Sequence, residues 1–116
     1  MFAVITPALM TGAFADRVRF GPYLVFIVLW VLLVYCPVCH WVWGPDGWMG
    51  VWGVRDFAGG IVVHTTAGFG ALASVFVVGN RKPADGESEE ALSEPGSIPK
   101  VALGTALLWF GWFGFK

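Results

Sequence analysis

His64 stands in a stretch with no charged residue from Phe57 to Asn80, 24 residues long, and is the one ionisable side chain within it. A polar group in such a setting is costly to hold, so it is read first as functional. An imidazole titrates near neutrality and both accepts and donates hydrogen bonds, which suits it to a small proton-bearing solute. Asp56, Gly60, His64 and Gly68 recur at four-residue spacing, so a continuous α-helix carries an acid, a histidine and two glycines on one face. On that geometry His64 lies about 12 Å along the axis from Asp56, at about 1.5 Å per residue. The plainer account is a packing stripe whose histidine bonds a neighbouring helix. Asp56 also has a structural account, because an aspartate just ahead of a helical run caps its free N–H groups. A second pattern, Cys36-Pro-Val-Cys39-His40, has the C-x-x-C-H spacing of covalent haem attachment. It makes a membrane electron-transfer subunit the alternative function, although the motif continues an apolar helix rather than occupying an open loop.

Composition sets these residues in a membrane. Of 116 residues 57% are hydrophobic and only 13% charged, more apolar matter than a soluble domain of this size can bury. The net charge of -1 points to no nucleic-acid partner. Two uncharged stretches, Phe20 to Pro45 and Phe57 to Asn80, hold 26 and 24 residues, and each exceeds the ~20 needed for a helix to cross hydrocarbon. Shorter apolar runs occupy both ends of the sequence. The pattern predicts an all-α integral membrane protein, a polytopic helical bundle with helices over about 1–14, 22–43, 57–78 and 99–115. A polar loop spans 80–98 and carries Asp85, Glu87, Glu89, Glu90 and Glu94. The first run is no secretory signal, since Asp16, Arg17 and Arg19 follow it instead of preceding it. Met1 is therefore expected to be internal to a longer protein.

Five of the basic residues near the membrane ends fall in 15–21 and 80–98 plus Lys100, against Arg55 alone in 44–55. By the positive-inside rule, loops 15–21 and 80–98 are cytoplasmic and loop 44–55 is outside. Trp41, Trp43, Trp48 and Trp52 crowd that outer end, as an interfacial aromatic belt does.

Four segments carry a family resemblance: G-A-F-A-D-R-V-R-F at Gly12 to Phe20, H-W-V-W-G at His40 to Gly44, D-F-A-G-G-I-V-V-H at Asp56 to His64, and G-W-F-G-F at Gly111 to Phe115. In order and spacing they resemble ammonium transporters of the Amt/Rh type, over essentially the whole chain. The resemblance implies an eleven-helix fold of two inverted halves, of which this chain supplies roughly helices three to six. It implies a transporter and not an enzyme, with no cofactor and no metal, assembled as a homotrimer in a bacterial inner membrane. It further implies a P-II-type signal protein as a cytoplasmic partner. By resemblance, Phe2 and Phe115 are the stacked phenyl gate, Trp43 is the aromatic wall of an outer ammonium recruitment site, Asp56 is the acid beneath it, and His64 is the first of two pore histidines. Cys36 and Cys39 depart from the family, which carries P-x-x-H there without cysteines, and Lys116 stands where the family has asparagine.

Overall fold

A computed structural model describes residues 1–80, 82 and 97–115. The acidic stretch Asp85 to Glu94 and Lys116, both singled out in the sequence, lie outside the described residues. Among those described, every regular element is helical. In the first unit, 1–80, α1 (Phe2–Leu9) ends in a short turn of 3-10 helix, Thr11–Ala13. A long second span follows as α2 (Phe20–Trp30), a π turn (Val31–Tyr35) and α3 (Cys36–Trp43). The loop 44–55 holds a single helical turn, α4 (Trp48–Val51). The third span opens as a π turn, Gly60–Thr65, and continues as α5 (Thr66–Val78). In the second unit, α6 runs Ile98–Trp112.

Phe20–Val51 and Gly60–Val78 are long and apolar enough to cross a membrane. Leu32, Leu33, Val25 and Val28 of the long span are more than half exposed, an apolar face that is stable against lipid or further helices and costly against water. The interior is narrow. Met10, Phe14, Trp30, Tyr35, Val42, Val62 and Ala67 form it, so the turn that follows α1, with Met10 and Phe14 at its ends, packs with residues of the second and third spans. Gly70 permits that approach: a Cβ there would lie 2.4 Å from Met10 Sδ and 3.0 Å from Trp30 Nε1.

Local chemistry explains the breaks. Pro37 has no N–H to donate to the carbonyl of Leu33, and the loosened π register lies directly upstream of it. At the 15–21 turn, the Arg17 guanidinium donates to the carbonyls of Ala13 and Gly79. It thereby satisfies acceptors at the ends of the first and third spans, where helices run out of their own donors. Gly79 takes a positive φ of 76° at that terminus.

Candidate functional site

The site is built where the second span, the loop 44–55 and the third span meet. Phe57 to Gly59 are not helical, so Asp56 stands ahead of the third span rather than directly at its first turn. Its carboxylate nevertheless reaches the start of the helix. Oδ1 accepts the Gly60 N–H at 2.7 Å, and Oδ2 accepts those of Ile61 and Val62, each at 2.9 Å. These are three of the donors that an N-terminus leaves without helical partners, and a charged acceptor makes the bonds stronger than neutral ones. Burial acts to raise the Asp56 pKa, but the N–H groups of Val62, Ile61, Gly60 and Gly59 together outweigh it and hold the carboxyl below its ordinary value.

Gly59 turns the chain from Asp56 into the helix with φ at 82°. A side chain there meets both the left-handed strain and Val63, whose Cγ2 would lie 2.9 Å from the new Cβ. Across the loop, Trp43 Nε1 donates to the main-chain carbonyl of Asp56 at 2.9 Å. The Phe2 ring lies against the Trp43 indole, centroids 5.6 Å apart and planes tilted by 47°. Phe2, Trp43 and Asp56, from three separate segments, are thus brought together at one end of the first unit. The acid reaches the indole through its backbone, while its carboxylate is turned into the helix.

His64 sits on the π turn and is exposed on the surface of this unit. Because Gly60–Thr65 is wound in i→i−5 register, the even stripe of Asp56, Gly60, His64 and Gly68 expected of a continuous α-helix is interrupted between its first and third members. Phe115 lies in the second unit, just beyond α6, with its ring stacked on Trp112 at 5.0 Å and 18°. A groove of about 820 Å³ also runs between α2 and α5, lined by Phe26, Trp30, Phe69, Val77 and others. The hydroxyls of Ser74 and Thr65 in its lining are turned to backbone carbonyls, to Gly70 at 2.8 Å and to Gly60 at 2.9 Å, which leaves those side chains presenting hydrocarbon.

A model of the Ammonium Transporter Family matches residues 1–116. The chain belongs to the ammonium transporter family. It is 54% identical over 115 residues to the ammonium transporter of Bacillus subtilis, covering 99% of this chain and 27% of that protein. It is 52% identical to ammonium transporter 1 of Dictyostelium discoideum, covering 100% of this chain and 25% of that protein. The crystal structure of Candida albicans Mep2 superimposes with a TM-score of 0.82 at 42% identity, over 98% of this chain and 25% of that one. The chain therefore spans about a quarter of the length of the relatives it matches, and its fold is a partial all-α membrane transporter fold.

Cys36, Cys39 and His40 are part of helix α3 and both thiols are free. Neither this helical setting nor the relatives support the haem alternative. Sequence reasoning missed three features: the two π turns, the Trp43 bond to the Asp56 carbonyl, and the hydroxyls of Thr65 and Thr66. The T-T pair directly after His64 and the G-G pair before it were the available signals.

Proposed function

We propose that this chain is part of an ammonium/ammonia transporter, that Trp43 with Phe2 and Asp56 forms the outer recruitment site, and that His64 lines the apolar path beneath. The observation that carries the proposal is the single mechanical unit formed by these residues. The ionised Asp56 carboxylate holds the start of the His64 segment through three N–H groups, and the same residue's carbonyl holds the Trp43 indole. An ammonium ion sheds water only where something replaces it, and an indole face returns about 0.5–2 kcal/mol to a cation. Asp56 contributes negative potential from a carboxylate turned to the N–H groups of Gly60, Ile61 and Val62. Beyond the aromatic gate, of which Phe115 is the other member by resemblance, an apolar lining disfavours charge. At the outer mouth ammonium gives its proton to water and ammonia passes on, with the imidazole of His64 accepting or donating hydrogen bonds to it.

The rest of the reading extends the resemblance to the whole protein. The whole protein is an integral membrane homotrimer of the bacterial inner membrane, a transporter and not an enzyme, and loop 44–55 faces outward. P-II-type signal proteins dock on its cytoplasmic face. The test is a chimera in which these 116 residues replace the matching stretch of the Bacillus subtilis relative, reconstituted in liposomes. His64→Ala is expected to abolish selective ammonium flux while the protein still inserts and assembles. Wild-type flux and selectivity in that variant would overturn the pore role.

A further inference from the structure

The third span changes register within the membrane. Gly60–Thr65 is a π turn and Thr66–Val78 an α-helix. At the start of the turn the His64 N–H donates to the Gly59 carbonyl, five residues back, at 3.0 Å, and the Val63 N–H shares that acceptor at 2.9 Å. Passing from an i→i−5 ladder to an i→i−4 ladder skips one carbonyl, because the donors advance by one residue while the acceptors advance by two. In a hydrocarbon setting no water is at hand to bond it.

Two hydroxyls stand at this junction. Thr65 Oγ1 donates to the Gly60 carbonyl five residues back, at 2.9 Å. Thr66 Oγ1 donates to the Val62 carbonyl at 2.5 Å and lies 3.1 Å from that of Val63. Thr66 is 9% exposed, Val62 0% and Val63 3%. A threonine bonded four residues back is ordinary on its own, and Thr6 and Thr105 do the same here. Thr66 differs in standing, buried, at the residue where the ladder shifts.

Resting on the pore role of His64, we propose that Thr66 is the positioning residue for that imidazole. Its hydroxyl supplies the donor that the register change withdraws, and this keeps the turn in π form. A slip of one residue corresponds to about 100° about the helix axis. One end of the segment is tethered by the Asp56 carboxylate. At the other end Gly70 is pressed against Met10 and Trp30. Neither end is free to rotate, so relaxation of the turn to α-helix is absorbed by the residues between, His64 among them.

The chimera with the Bacillus subtilis relative tests this, carrying Thr66→Val, Thr66→Ser or His64→Ala. Two readouts are taken: the ¹⁵N shifts of the His64 ring, assigned by their loss in His64→Ala, and ammonium flux into proteoliposomes against potassium. Thr66→Val, which keeps shape and removes the donor, is expected to assemble, move the ring shifts and lower flux at least tenfold. Thr66→Ser is expected to keep both near the parent. Unchanged ring shifts in an assembled Thr66→Val protein overturn the proposal, and so does a serine variant as defective as the valine one. Should the valine variant fail to assemble, Thr66→Cys, a weaker donor, is expected to give ring shifts displaced from the parent, and parent-like shifts overturn the proposal. If the shifts move while His64→Ala transports normally, Thr66 still positions the ring and the pore role is what falls.

Discussion

Removing the Asp56 carboxylate is expected to loosen the outer end of the third span before it changes anything else. In Asp56→Ala the N–H groups of Gly60, Ile61 and Val62 lose acceptors now at 2.7, 2.9 and 2.9 Å. Gly60 is exposed and finds water, whereas Ile61 is half-buried and Val62 fully buried. At about 1–3 kcal/mol for each donor left without a partner, those two give a loss of roughly 2–6 kcal/mol. That is a large share of the stability of an ordinary domain. Asp56→Asn keeps one acceptor oxygen and sets an NH₂ against the remaining N–H groups, so an intermediate loss of about 1–2 kcal/mol is expected. The pH dependence has a definite sign. The folded carboxyl is held below its unfolded value, about 3.9 in model peptides. Its contribution is in full force above that value and disappears as pH falls through the lower folded one. Thermal unfolding of the detergent-purified chimera, followed from pH 7 down to pH 3, measures both effects. The parent should approach the Asp56→Asn variant at the acid end and separate from it near neutrality. An Asp56→Ala protein as heat-stable at pH 7 as the parent would refute the capping role, and so would a parent-variant gap that does not narrow in acid.

Two further outcomes follow from the same geometry. Trp43→Leu removes both the indole face and the N–H bonded to Asp56; loss of about 0.5–2 kcal/mol of cation binding should raise the ammonium concentration for half-maximal flux about 2–30-fold, read in the liposome assay. Gly59→Ala places a Cβ at φ 82° and 2.9 Å from Val63 Cγ2, and is expected to cost at least about 1 kcal/mol, read as a lower unfolding temperature.

The spans were legible because charge is excluded from hydrocarbon whatever the local register. The gaps in charge at Phe20 to Pro45 and Phe57 to Asn80 locate two membrane-capable helices. The aromatic and acidic residues of the outer site entered through the family resemblance; the bonds between them were not legible. A tryptophan side chain bonding an aspartate's main-chain oxygen leaves no trace in spacing, since any residue at position 56 offers that oxygen. The register was misjudged for a related reason. Periodicity counts side chains on an assumed 3.6-residue turn, whereas the π turns are decided by the backbone: Pro37 withholding an N–H, Gly59 adopting a positive φ, and hydroxyls taking stray carbonyls.

This bears on how the site works. A histidine on a regular helix is oriented by that helix as a whole, and small local changes leave its direction intact. His64 is instead on a turn bonded at both ends: by the carboxylate of Asp56 ahead of it and by the hydroxyls of Thr65 and Thr66 after it. Because the Asp56 carbonyl also holds the indole of Trp43, a displacement of residue 56 moves that indole and the start of the histidine segment together. Recruitment and passage are therefore expected to fail jointly in Asp56 variants but separately in Trp43 and Thr66 variants, with Trp43→Leu changing the half-saturating concentration and Thr66→Val the maximal flux. Equal effects of Trp43→Leu and Thr66→Val on both quantities would contradict that division.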